Sequence, residues 1–213
     1  NDFIRSVDAD SKRAIYISGF RALIALEDHV ARSGAYISDP EEMFRIAFYN
    51  GSVNGTQAEI LENASYTDYL NKLKVIANRV GVDIDINVTN VTLYHTSPWT
   101  VDVIVATHVN LTDQKGLAKW AFDKDYNTSV SIINIRDPVY SVATHGKVPN
   151  PIIRFNASLP PIVSPTGDPA NLLIHINNSY YANNSLAPSF LMRLQGKFSR
   201  SEFGIESLVN LVE

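Results

Sequence analysis

No cysteine occurs among the 213 residues. That one absence removes disulfides, thiolate zinc sites, iron–sulfur clusters and thiol nucleophiles together. Long apolar runs are also missing: nowhere do 18 apolar residues follow one another, so no membrane span is expected within the chain. There is no Lys/Arg-rich block either. With a formal net charge of -4 and a pI near 5.7, neither nucleic acid nor an anionic membrane surface is expected as the main partner. The chain opens at "NDFIRSVDADSK" without Met, which suggests a mature or truncated product.

Motifs of catalysis are scarce too. His29, His95, His108, His145 and His175 stand alone without ligand spacing, and no Gly-x-Ser-x-Gly or Gly-rich phosphate loop occurs. "DADS" (8–11) lacks the further oxygen ligands and the Gly of a calcium loop. "SPTGDPAN" (164–171) reads as turn chemistry. No metal, cofactor or catalytic residue is expected, and the chain is not expected to be an enzyme. The one enzymatic alternative is an extracellular hydrolase, which would need acids such as Asp102, Asp113 or Asp168 gathered in a cleft.

What is present in excess is the triplet Asn-x-Ser/Thr. It begins at Asn50, Asn54, Asn63, Asn87, Asn90, Asn110, Asn127, Asn156, Asn177 and Asn183. Random placement of the 19 Asn against 30 Ser or Thr gives roughly 2.7 such triplets, so ten point to selection for N-glycan acceptors. A glycan is bulky and solvated, so each acceptor must lie outside the core. In "DIDINVTNVTLYH" (83–95), Val82, Ile84, Ile86 and Val88 alternate with Asp83, Asp85 and Asn87 as in a half-buried strand. The apolar phase then slips to Val91 and Leu93, as at a bulge near Thr89, which keeps Asn90 on the polar side. In "WTVDVIVATHVNLT" (99–112), Asn110 opposes Trp99, Val101, Val103, Val105, Val109 and Leu111, in company with Thr100, Asp102 and His108.

The organisation reads as α+β. A long helix is expected from Ile4 to about Arg32, with Val7, Ala14, Ile17, Ile24 and Ala31 on its apolar stripe, widened by Phe20, Leu23 and Val30. A short helix follows "SDPEE", and Thr56 to Glu59 reads as a capping box. "YTDYLNKLKVIANRVG" is a clear helix with Leu70, Leu73, Ala77 and Val80 on one face. Strands are expected near 82–94, 99–111, 116–122 and 129–136, forming an antiparallel meander with "TDQKG" as a tight hairpin connection. Its dry face must be covered, and the N-terminal helix is the surface long enough to do so. Seven prolines between Pro149 and Pro188 mark a change of texture. There only "NLLIHI" (a short strand) and "PSFLMRLQG" (a short helix) are expected to be regular. The domains are accordingly 1–145, α+β, and 146–213, a Pro-rich C-terminal extension or small second unit. Tyr beside Asn and Ser in "NNSYYANNS" suits either an adhesive surface or the packing of this segment, the latter being favoured.

A long helix, a helical and loop insertion and a four-stranded antiparallel meander laid on that helix resemble the type IV pilin fold over residues 1–140. "DSKRAIYISGFRALIAL", "IRDPVYSV" and "APSFLMRLQG" are similar to segments of membrane-anchored, surface-exposed archaeal proteins. The resemblance implies a non-enzymatic structural glycoprotein of the cell surface, extracellular, a subunit or anchored ectodomain of a filament or envelope. Its partners would be further copies or other surface proteins, with N-linked glycans, and it would touch the membrane only through an apolar segment upstream of Asn1. The prepilin-peptidase site and apolar assembly helix of that family do not occur in these residues. An adhesin or carbohydrate-binding module is the other alternative.

Overall fold

The computed structural model describes residues 2–154 and 180–207, with side chains from residue 5 onward. "NLLIHI", "SPTGDPAN" with its Asp168, Asn156 and Asn177 lie outside the described residues. The chain forms two compact units, one of Asn1–Leu26, Glu41–Tyr94 and Val101–Val130, the other of Glu27–Pro40, His95–Thr100 and Ser131–Glu213.

In the first unit the leading helix α1 (Asp2–Ser33) contributes its residues up to Leu26. Helix α2 (Pro40–Asn50) starts on a proline, whose fixed φ suits a first turn. A two-residue hairpin, β1 (Ser52–Val53) and β2 (Thr56–Gln57), turns at Asn54-Gly55, both at positive φ, as a tight hairpin turn requires. The capping box expected at Thr56 to Glu59 does not form. Thr56 belongs to β2, and the short 3-10 turn Glu59–Leu61 has Ala58 before it with no side-chain cap. Helix α3 (Tyr66–Arg79) instead carries a capping box of its own, Ser65 with Asp68.

The sheet is antiparallel with order β3 (Val82–Ser97), β4 (Thr100–Asp113), β5 (Lys119–Ser131). It has three strands where four are expected. Residues 114–118 form the connection after β4, whereas 119–131 run as one strand. The register is set by cross-strand pairs such as His108 with Asp123 and Thr107 Oγ1 donating to Lys124 O, 2.8 Å. In β4, Val101, Val103, Val105, Thr107, Val109 and Leu111 are all buried. In β3, Ile84 and Ile86 are buried and then Val91, so the alternation slips by one between them, and β3 is two residues longer than its partner. That is the signature of a bulged strand.

α1 lies on this dry face. A Cβ placed on Gly19 would meet Val130 Cγ2 at 3.2 Å, Val103 Cγ2 at 3.6 Å and Phe44 at 3.7 Å. Ser11, Ser18 and Gly19 are buried along with Val7, Ala14, Ile15, Ala22 and Leu23. The core face of α1 is therefore built partly of small residues, which let the helix approach the strands. Ile17, expected on that face, is exposed instead. An aromatic stack, Phe44, Phe48, Tyr66 and Tyr69, with successive centroids 5.7, 4.9 and 5.6 Å apart, continues the core under α2 and α3. Tyr69 exchanges a hydrogen bond with Ser11 of α1 at 3.0 Å, and burial pushes its hydroxyl up to about 12. Val80, expected with the buried face of α3, is its exposed C-terminal cap.

The second unit is made of short elements: α4 (Pro138–Ala143), β6 (Tyr181–Asn183) paired with β7 (Ile205–Ser207), and α5 (Phe190–Leu194). α5 falls where "PSFLMRLQG" predicts it, and Gly196 beyond it takes a positive φ. α4 is unforeseen. Asp137 caps it by accepting from Val139 N at 2.9 Å, and Pro138 fills its first position.

These elements meet around a buried ionic hub. Asp137, fully buried, accepts from Arg193 Nη1 at 2.6 Å and from Tyr181 Oη at 2.8 Å. Asn150 Nδ2 donates to Tyr181 Oη at 2.9 Å, and Arg193 also donates to Ile205 O. Glu27 accepts from Ser141 Oγ of α4 at 2.5 Å and from Arg136 Nε at 2.7 Å. Burial raises both carboxyls above their ordinary values in spite of their arginine partners. Tyr181, from the "NNSYYANNS" segment, is thus a packing residue.

Candidate glycan-bearing face

Alternation along β3, β4 and β5 has a second product besides the core: a polar face turned away from α1. On β5, Ala121, Asp123, Asp125, Asn127 and Ser129 are all exposed, and on β3 Asp83, Asp85 and Asn87 are. Asn87, Asn90, Asn110 and Asn127 are exposed acceptors in these three strands. The pairing of His108 with Asp123, 2.6 Å apart, crosses the face between them.

The remaining described acceptors sit at chain reversals or on a short strand. Asn50 ends α2 ahead of Gly51, Asn54 leads the β1–β2 turn, Asn63 precedes α3, and Asn183 closes β6. Asn54 and Asn63 adopt positive φ, which Asn tolerates better than other side chains with a Cβ. All eight described acceptors are exposed. Exposure is the ordinary state of Asn, so it permits glycosylation, and the buried Asn150, which starts no acceptor triplet, shows the opposite fate.

The surroundings distinguish the sites. The Asn63 triplet ends in Ser65, which is buried and committed to capping α3: it accepts from Asp68 N at 3.2 Å and donates to Asp68 Oδ2 at 2.7 Å. Asn127 donates its Nδ2, the atom that carries a glycan, to Tyr94 Oη at 2.8 Å. Neither partner is readable from the triplets themselves.

Asp102 departs from the expected solvent-facing pattern. It is 2% exposed and accepts from Ser129 Oγ. Asp102 and Asp113 lie at opposite ends of β4, about 35 Å apart along an extended strand, whereas paired carboxylates of glycoside hydrolysis stand within about 10 Å. Among the described residues, no group of three His, Asp or Glu is placed to hold a metal ion. No helix there is long and apolar enough to cross a membrane. No family model matches the chain, and no curated protein or solved structure is significantly similar to it.

Proposed function

We propose that this chain is the ectodomain of a structural, non-enzymatic cell-surface glycoprotein of pilin-like architecture, displaying N-linked glycans from the sheet face opposite α1. The observation that carries the reading is the separation of faces in the first unit. Four acceptor triplets begin on exposed positions of the three strands, while α1 covers the apolar side through Gly19, Val103 and Val130. The long helix laid on a meander supports the pilin-like part, and an apolar segment encoded upstream would anchor it.

Self-association through α1 belongs to the same reading. Tyr16 and Ile17 are each about two-fifths exposed, and Tyr16 stacks on Phe20 with centroids 6.5 Å apart. A neighbouring copy would cover this ridge. The separation of Asp102 from Asp113 weighs against a hydrolase that pairs those two acids.

Surface location is tested by labelling intact cells of the native source with a membrane-impermeant amine reagent. The expected result is modification of exposed lysines such as Lys147 and Lys197 without lysis. Labelling only after lysis would refute the reading.

A further inference from the structure

The end of the first unit at which α1 begins gathers features that the glycan face does not use. Val7 of α1 borders the same hollow as Val109, Leu111 and Phe122, so the β4–β5 turn lies at that end. Gln114 in this turn ties it to the end of α3 and the start of β3. Its backbone N donates to Gly81 O at 3.0 Å, and its Nε2 to Asn78 Oδ1 at 3.0 Å and Asp83 Oδ1 at 3.3 Å. Around this junction Leu117 is 83% exposed, Val80 60% and Trp120 51%. Arg5, Arg79, Lys115 and Lys119 are exposed on the elements that meet there, against Asp8, which lines the same hollow, and Asp83 and Asp113. No acceptor triplet begins before residue 50, between 64 and 86, or between 111 and 126.

We infer that this end of the first unit docks on a lipid bilayer carrying anionic headgroups. Trp and Leu place apolar surface at the boundary between headgroups and acyl chains, while Lys and Arg extend their charged tips to the phosphates. Exposed apolar residues are ordinary when scattered singly. Here three of them share one end with four cations, while Asn110, three residues before the end of β4, brings one acceptor close to it on the outward face. The chain's net charge of -4 argues against an anionic membrane as a partner of the chain as a whole. The four cations come from α1, α3 and the β4–β5 hairpin, so only folding brings them together. This orientation rests on the surface-glycoprotein reading, since it points the anchored end of α1 at the membrane.

Flotation of the recombinant chain with vesicles of equal parts phosphatidylglycerol and phosphatidylcholine tests the inference separately from intact-cell labelling. The wild-type chain should float with these vesicles and not with phosphatidylcholine alone. Each removed cation should weaken binding roughly fivefold at low salt, so Lys115→Gln with Lys119→Gln should weaken it by at least an order of magnitude. Leu117→Ser with Trp120→Ser should weaken it as well, and both pairs sit on exposed positions where circular dichroism confirms an unchanged fold. Leu186→Ser, an exposed leucine of the second unit, should change nothing. Absence of flotation, or flotation indifferent to the hairpin variants, overturns the inference. So does a self-association in solution that Leu117→Ser abolishes, because the surface would then belong to a second copy. Vesicle binding by a chain that intact-cell labelling fails to reach would leave the docking chemistry standing and remove the surface reading.

Discussion

The two units are held together by different physics. The first lays α1, as far as Leu26, against the long strands β3, β4 and β5 through an apolar interior. Its ion pairs, such as Lys74 with Asp85, are on the surface, where such pairs contribute little. The second has helices of six and five residues and strands of three. It centres on the almost completely buried pair of Asp137 with Arg193 and on buried Glu27, whose partner Arg136 is one-third exposed. Non-directional burial suits long regular elements, whereas short irregular segments need directional partners to fix their course.

Breaking the hub gives the largest expected effect. Arg193→Met leaves Asp137 buried without its cation and should destabilise the second unit by about 3–5 kcal/mol. Hydrogen exchange should show lost protection over 137–154 and 181–207, with amides of β4 unchanged. In the first unit the matching test is steric. Gly19→Val forces three carbons between α1 and the pair Val103 and Val130, and overpacking of this kind costs about 1–3 kcal/mol. A urea midpoint unaffected by that substitution would show that α1 does not seat on the sheet.

Titration sharpens the contrast further. Burial raises the carboxyls of Glu27 and Asp137 above ordinary values of 4.5 and 3.8, so the folded second unit retains protons that the unfolded chain releases. The associated stability is fully present below the ordinary value and is lost as pH rises through the folded one. Glu27→Gln should therefore flatten the fall in second-unit stability above about pH 4, read from exchange protection of Ser141 and its neighbours. The smallest effect is expected at the half-exposed pair of Lys124 with Asp8. Lys124→Ala should shift stability by at most about 1 kcal/mol, measured by urea unfolding.

The same contrast explains what the amino-acid order disclosed. Helix α3, strand β4 and the phase slip in β3 are written in apolar periodicity, and the structure follows them closely. The core face of α1 is less legible because Ser11, Ser18 and Gly19 occupy it where periodicity favours Ile17. β5 reads as two strands because Asp123, Lys124 and Asp125 are polar on both faces, and its continuity depends on cross-strand bonds from Thr107 and His108. α4 hides behind Asp137 and Pro138, a cap and first turn that resemble the start of a coil. Buried Asp102, Glu27 and Arg193 are invisible to periodicity, since a charge is assigned to solvent unless its partner is known. The acceptor triplets are the opposite case: their identity is local, and exposure follows from strand alternation and turn position.

Glycopeptide mass spectrometry of the protein purified from its native cells is the most direct test of the outward-facing sheet. Modification is predicted at Asn87, Asn90 and Asn110, with lower occupancy at Asn63, where Ser65 is buried as a helix cap, and at Asn127, whose amide is held by Tyr94. Unmodified asparagine at all three of those strand positions would contradict the account.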